Sequence, residues 1–227
     1  MRYYHLNIRK ARLREFARIG HRYPIVAILL WLPMKLGLIP VSLPLVPRPN
    51  SINEMIVDAD SLPEPARSII RNKIEDDEGL DFIDPICEWR SPRSAGGQLS
   101  LGIRVTAYHR NGRCLVAHVL TVQPTGIAHS EDSVVSYFNS GRGISTTNGS
   151  RNFDPSPGVL RHSLPNAKVV ELLRAHECLL QSESAEPLKI SSRQDMVREM
   201  DAFQNRFFDY MIQRGLYEET AQLEESV

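Results

Sequence analysis

The clearest alternation of hydrophobic and polar positions lies on either side of Asn111-Gly112, over residues 99–110 and 113–123. Such alternation predicts two strands, and the Asn-Gly dipeptide suits a two-residue type I′ turn that joins them into a hairpin. Counting outward from this turn places Val105 opposite His118. One face of the hairpin is then apolar along most of its length, and we expect that face to lie in a core.

Further elements are predicted on both sides of this hairpin by the same kind of pattern. Two more strands are expected at 133–139 and 143–148, and helices at 60–75, 166–180 and 192–214. The last helix carries an apolar stripe that consists of Met196, Met200, Phe203, Phe207, Tyr210 and Met211. The acidic run at 75–79 is expected to be a solvated loop. Together these elements predict an α+β domain over residues 50–217, in which an antiparallel β-meander packs with helices.

The first 47 residues have a different pattern. Residues 1–22 predict a basic amphipathic helix, because Lys10, Arg14 and Arg18 recur four apart on one side. Residues 23–47 are apolar and repeatedly interrupted by proline. A helix that crosses the hydrocarbon core needs about 20 apolar residues, and proline disfavours a continuous helix. Three alternatives stay open for this segment: an interfacial or re-entrant anchor, a kinked single span, and an apolar arm packed on the soluble domain.

The charge distribution adds a reason to expect a surface contact. The 27 Lys and Arg balance the 27 Asp and Glu, but residues 1–35 hold eight basic residues and one acid, which is a net charge of +7 and leaves −7 on the remainder. A cationic end of this kind indicates a membrane or a nucleic acid as partner. Because an apolar run adjoins it, we expect lipid and no nucleic acid. Residues 218–227 are interpreted as an acidic tail.

A lipid bilayer is therefore the partner expected for residues 1–47, with a location at the cell membrane. If the segment spans, the N-terminus should be cytoplasmic. The residues expected to contact the membrane are Arg14, Arg18, Arg22, Tyr23, Leu29 and Trp31. A protein partner for the 192–214 helix is a further expectation, because apolar stripes on helices dock into grooves.

The sequence holds few patterns that predict chemistry. Cys87, Cys114 and Cys178 are far apart and form no zinc spacing. His118 lies four strand residues from Cys114, roughly 13 Å at ~3.3 Å per residue, so a shared metal is not expected. We also expect no cofactor. An alternative is a small hydrolase or transferase whose site would form where the 129–162 loops converge, with His129, Asp132, Arg142, Asp154 and His162 as candidate residues.

The order of short motifs also shows a resemblance to a family. The motifs are Leu62-Pro63, Gly79 to Phe82, Ser133 to Phe138, Thr146-Thr147-Asn148, Pro155 to Val159, Leu164-Pro165 and Leu172 to His176. In this order residues 60–180 resemble uncharacterised bacterial proteins that have an N-terminal hydrophobic segment. The resemblance implies a membrane-linked α+β domain and brings no activity or catalytic residue.

Three functions are therefore expected in order of preference. The leading one is a membrane-associated, non-enzymatic binding or interaction domain. The small hydrolase or transferase is the second, and nucleic-acid binding through the basic N-terminus is the third.

Overall fold

A computed structural model describes residues 1–19, 24–39, 45–62, 64, 66–90, 101–123, 126–149 and 154–220 of the 227-residue chain. The strands are β1 (Arg2–Leu6), β2 (Val46–Arg48), β3 (Ile56–Val57), β4 (Phe82–Arg90), β5 (Leu101–His109), β6 (Leu115–Gln123), β7 (Gly126–Tyr137), β8 (Gly143–Thr147), β9 (Val159–Ser163) and β10 (Tyr217–Glu219). The helices are α1 (Leu13–Ile19), α2 (Pro24–Lys35), α3 (Ala66–Glu78), α4 (Val169–Ser182) and α5 (Arg193–Gln213).

The main sheet has seven strands in the order β3-β4-β5-β6-β7-β8-β9. All neighbours in it are antiparallel except β8 and β9, which are parallel. The α+β fold with an antiparallel meander is therefore confirmed. The short strand β9 is not among the predicted strands, and it forms because it pairs with β8 along its length.

The central hairpin has the register that was counted from Asn111-Gly112, since Val105 pairs with His118. The turn itself is different. Of its two central residues only Gly112 has a positive φ, at 76°, whereas a type I′ turn requires positive φ at both. The Gly112 N–H donates to the His109 carbonyl oxygen at 2.7 Å, so the chain reverses over a longer loop without changing the pairing.

Helices cover both faces of the main sheet. On one face, Ile70 of α3 packs with Val105 and Leu120, and Leu172 of α4 packs with Val116. On the other face, α5 places Met196, Val197 and Met200 against Tyr108, Leu115 and Tyr137. The apolar stripe of the last helix is therefore used in the core of this chain.

The N-terminus does not form the expected helix over residues 1–22. Residues 2–6 form β1, which lies between β10 and β2 in a three-stranded sheet. Tyr4 pairs with both Val46 and Glu219 and is 2% exposed. These partners are remote in the sequence, so tertiary pairing overrides the local helical pattern. Only residues 13–19 of the segment are α-helical in the described part of the chain.

The expectation of a transmembrane helix is wrong. Among the described residues, no helix has both the length and the hydrophobicity that a crossing requires. The apolar helix α2 has 12 residues, which is roughly 18 Å at ~1.5 Å per residue against a hydrocarbon core of ~30 Å. The apolar segment therefore no longer supports classifying the chain as a transmembrane protein.

Two smaller expectations also change. The acidic run at 75–79 is largely the last turn of α3 and not a loop, and Asp77 within it is buried. The helix predicted at 166–180 begins later, at Val169, and Asn166 before it has a φ of 64°. Residues 221–227, most of the acidic tail, lie outside the described residues, and Glu218 and Glu219 belong to β10.

Candidate ligand-binding cleft

A row of small side chains crosses the face of the main sheet that α5 covers. Thr106 pairs with Ala117, Ala117 with Ser133, and Ser133 with Thr147, so these residues are direct neighbours on β5, β6, β7 and β8. Because paired residues point to the same face, the row leaves a shallow floor between the larger side chains on either side.

Large apolar side chains of α5 form the roof above this floor. Met200, Phe203 and Phe207 line the space between the helix and the sheet. The helix approaches closely at one point, since a Cβ added to Gly143 would lie 3.1 Å from a ring carbon of Phe203. Phe203 thus contacts β8, and the roof extends over the row of small residues.

The space consists of two adjoining cavities of about 370 and 250 Å³. They share five lining residues, namely Arg104, Tyr137, Met200, Phe203 and Phe207. The smaller cavity lies over the row of small residues, and the larger one extends to Val46 of β2 and Tyr217 of β10. We refer to the two cavities together as the cleft. Pockets of a few hundred Å³ with apolar walls and few polar groups are typical of small-molecule sites.

Two ion pairs supply the charged groups of the cleft. Arg104 donates two hydrogen bonds to the fully buried Glu88, at 2.6 and 2.9 Å. Arg161 donates to Glu131 at 3.0 Å. Arg104, Glu131 and Arg161 line the cleft, and because each cation has its own carboxylate the two pairs carry no net charge.

Thr106 is a polar residue of the cleft with incomplete hydrogen bonding. Its residue surface is 1% exposed, and its Oγ1 is buried without a hydrogen-bond partner in the described part of the chain. A buried hydroxyl without a partner costs about 1–3 kcal/mol, and native structures contain few such groups. Thr106 is one of the residues that line the smaller cavity, so a bound molecule that reaches its hydroxyl can supply the missing partner.

A second cluster of ionisable groups lies on the opposite face of the sheet. His118 is 1% exposed and lies between two carboxylates, with Nε2 2.7 Å from Asp77 Oδ2 and Nδ1 2.7 Å from Asp132 Oδ1. Lys73 donates to Asp132 at 2.6 Å. Burial alone would lower the pKa of His118, but the hydrogen bonds to Asp132 and Asp77 outweigh burial and raise it. This cluster joins α3 to β6 and β7.

His176 is a third buried group, and its hydrogen bonds identify its tautomer. Ser136 donates its single hydroxyl proton to the Arg113 carbonyl oxygen at 2.6 Å, so it must accept from His176 Nε2–H at 2.8 Å. Thr146 then donates to Nδ1 at 3.0 Å. Burial lowers the pKa of His176 to about 4. An imidazole that donates to a serine does not act as its base, so this pair is structural.

The structure places the candidate residues of the 129–162 region in separate surroundings. The His129 side chain is half exposed and lies 3.7 Å from Glu131. Arg142 pairs with Glu183 at 3.0 Å, and His162 is exposed on β9. Asp132 belongs to the His118 cluster, and Asp154 binds arginines of the N-terminal segment. None of these five residues is among the described residues that line the cleft.

Four of the six residues expected to contact a membrane have defined positions. Arg14 and Arg18 bind Asp154. Leu29 of α2 is 70% exposed, whereas the half-buried Trp31 donates its Nε1–H to the Ala11 carbonyl oxygen at 3.3 Å. The two remaining candidates, Arg22 and Tyr23, lie outside the described residues.

The sequence did not predict the cleft, although it contains part of the information that locates the cleft. The register of the hairpin already places Arg104, Thr106 and Ala117 on one face. The missing information was the position of α5 above that face, which depends on contacts between remote segments. The chain matches no protein-family model, no curated protein and no solved structure. The resemblance to bacterial proteins with an N-terminal hydrophobic segment therefore stays a prediction.

Proposed function

We propose that the protein is a non-enzymatic binding domain that holds a small amphipathic molecule in the cleft. The apolar part of the ligand lies between α5 and the row of small residues. A neutral polar group, such as a hydroxyl, forms a hydrogen bond with Thr106. The observation that carries this proposal is that Thr106, a lining residue of a mostly apolar cleft, has a buried hydroxyl without a partner among the described residues.

The ion pairs of the cleft favour a neutral ligand. An anionic ligand would compete with Glu88 for Arg104, and a cationic ligand would compete with Arg161 for Glu131. For the Arg104–Glu88 pair, whose carboxylate is fully buried, leaving one member without its partner costs several kcal/mol, on the order of 3–5. A neutral polar group avoids this cost, because both pairs stay intact.

The cleft also lacks an arrangement that supports catalysis among its described lining residues. Among the described residues, Thr106 Oγ1 has no hydrogen-bond partner that could act as its base. The charged side chains of the lining, Arg104, Glu131 and Arg161, are engaged in ion pairs. These features support binding without chemical conversion. The hydrolase or transferase alternative stays a prediction, and its candidate residues do not share a pocket with the cleft.

The binding proposal is tested with 2-naphthol, a neutral aromatic alcohol whose rings suit the Phe203 and Phe207 roof. Isothermal titration calorimetry of the full chain should show one site. Ala117→Leu fills the floor of the cleft and should weaken binding by about tenfold or more. Ala175→Leu, the same exchange on α4 at the other face of the sheet, should leave binding unchanged. Equal affinities of both variants would exclude the cleft as the site.

The expected contact of residues 1–47 with a lipid bilayer, and with it a location at the cell membrane, stays a second proposal. It is supported by α2, whose exposed surface is apolar, with Ile25 at 74% and Leu29 at 70% exposure. Exposed apolar patches of this kind mark interaction sites. The contact would be with the surface of the bilayer and involves no crossing.

This second proposal is tested by flotation of the full chain with phosphatidylcholine vesicles and with vesicles that also contain phosphatidylglycerol. Leu29→Glu should reduce the bound fraction several-fold, because it places a charge on the exposed side of α2. The matched control is Leu160→Glu, since Leu160 on β9 is also an exposed leucine, at 47%. If both variants float like the wild type, α2 is not the contact.

A further inference from the structure

Three arginines of the N-terminal segment converge on one carboxylate. Arg12 Nη1 lies 3.1 Å from Asp154 Oδ2, Arg18 Nη1 lies 3.0 Å from Oδ1, and Arg14 also pairs with Oδ2. The Asp154 side chain is 7% exposed, whereas those of Arg12 and Arg14 are more than half exposed. The carboxylate thus lies behind three guanidinium groups that remain open to solvent. We call these residues the arginine cluster.

The arginine cluster has more positive charge than its carboxylate neutralises. Within the described part of the chain, Asp154 is the ion-pair partner that the three arginines share, and each uses one nitrogen for it. The nearby Glu15 does not compensate them, because Arg214 binds both of its oxygens, at 2.8 and 2.7 Å. Three guanidinium groups and one carboxylate leave a net charge of +2.

Hydrogen bonds hold the arginine cluster in place. The Asp154 N–H donates to Glu15 Oε1 at 2.9 Å, and the Arg12 N–H donates to Glu15 Oε2 at 2.8 Å. Glu15 is fully buried, so α1 and the segment that carries Asp154 are joined at a fixed point. Burial opposes ionisation of Asp154, but hydrogen bonds from Arg18 and Arg14 hold the pKa of its carboxyl below its usual value. The backbone at Arg12 and Asp154 is therefore fixed before any ligand binds.

We propose that Arg12, Arg14 and Arg18 form a binding site for a phosphate group. A phosphate dianion matches the excess charge of the arginine cluster. Guanidinium groups also present paired N–H donors that fit phosphate oxygens in a bidentate manner. Each of the three side chains retains donors that Asp154 does not use. The site is separate from the cleft, and it does not depend on what the cleft binds.

The phosphate group has two sources, a free ion or the headgroup of an anionic lipid. The second source is suggested by the contact of α1 with α2, in which Phe16 packs against Ala27 and Met34. Helix α1, which carries Arg14 and Arg18 of the arginine cluster, therefore lies next to α2, whose exposed side is apolar. The experiment therefore has one arm for each source.

In the first arm, inorganic phosphate is titrated into the full chain at constant ionic strength, and the melting temperature and ³¹P line width are followed. In the second arm, the full chain is floated with phosphatidylcholine vesicles with and without phosphatidic acid. The variants are Arg14→Gln, Arg14→Lys and Asp154→Asn. The control is Arg174→Gln, which removes an exposed arginine on α4. Melting in the absence of phosphate shows whether each variant is folded.

We expect Arg14→Gln to weaken phosphate binding about tenfold in whichever arm the wild type binds, and Arg14→Lys to weaken it less. Asp154→Asn should strengthen binding, because it removes the competing carboxylate. Arg174→Gln should bind like the wild type. Binding in the vesicle arm alone assigns the phosphate to a lipid. The proposal is overturned if neither arm shows binding, if Arg14→Gln and Arg174→Gln behave alike, or if Asp154→Asn, while folded, binds phosphate more weakly.

Discussion

Replacement of Asp132 by asparagine should show how much the buried ionic cluster stabilises the fold. Asp132 Oδ1 lies 2.6 Å from Lys73 Nζ and 2.7 Å from His118 Nδ1. The amide has nearly the same shape as the carboxylate but no charge. Asp132→Asn therefore leaves the Lys73 ammonium and the His118 imidazolium without the anion that they share.

The magnitude follows from the pKa of Asp132. Burial alone would raise it, but hydrogen bonds from His118 and Lys73 hold the pKa of this carboxyl at about 2, against an ordinary value of 3.8. A difference of nearly two units corresponds to about 2–3 kcal/mol of stability. Because the pKa is lowered on folding, this contribution is present above pH 3.8 and is lost as the pH falls through about 2.

Urea unfolding of the wild type and Asp132→Asn between pH 3 and pH 7 measures this contribution. We expect a loss of about 2–3 kcal/mol near pH 6 and roughly half of that near pH 3. Asp209→Asn is the control, because its ion pair with Arg48 involves a carboxylate that is 67% exposed, and such pairs contribute about 1 kcal/mol or less. A loss at pH 6 as small as that of the control, or one that does not change with pH, would refute the reasoning.

The remaining predictions concern two histidines and a glycine. The pKa of His118 is raised on folding. The stabilising contribution of His118 is therefore present below its ordinary pKa of 6.5 and is lost as the pH rises through the pKa of the folded state. An NMR titration of His118 with a midpoint below 6.5 would contradict this. The pKa of His176 is lowered to about 4. The free energy of unfolding that the neutral His176 contributes is therefore lost as the pH falls from 6.5 to about 4. His176→Gln should flatten the pH dependence of urea unfolding in that range. Gly112→Ala should cost at least about 1–2 kcal/mol, because Gly112 has a φ of 76° and a Cβ there would lie 2.6 Å from the Ile190 carbonyl oxygen; an unchanged urea midpoint would show that the loop adapts.

The sequence could predict those parts of the fold that depend on neighbouring residues. The register of the central hairpin follows from the Asn-Gly dipeptide, because pairing is counted outward from the turn. Helix α5 follows from its apolar spacing and from Ser192, whose side chain accepts from the Asp195 N–H. In both cases the information lies within one or two adjacent segments.

The N-terminal segment and the cleft depend instead on remote contacts. Tyr4 becomes part of a strand because Glu219 pairs with it from the other end of the chain, and no local pattern of residues 1–22 indicates this partner. The net charge of the N-terminus was assigned to a surface contact, yet part of it is bound by Asp154 within the chain. The hairpin register places Thr106 and Ala117 of the cleft floor on one face, but only the position of α5 makes that face a cavity.

The most direct test of the binding proposal is the preference of the cleft for a hydroxyl group. Calorimetry compares 2-naphthol with naphthalene in the wild type and in Thr106→Val, a variant that keeps the shape of the side chain and removes its hydroxyl. We predict that the wild type binds 2-naphthol roughly 5–10-fold more tightly than naphthalene, as expected for one hydrogen bond of about 1 kcal/mol, and that the variant binds both alike. The variant should also be at least as stable as the wild type without ligand, because it loses a buried hydroxyl that has no partner. A preference for 2-naphthol that persists in Thr106→Val, or binding of neither compound by the wild type, would contradict the proposal.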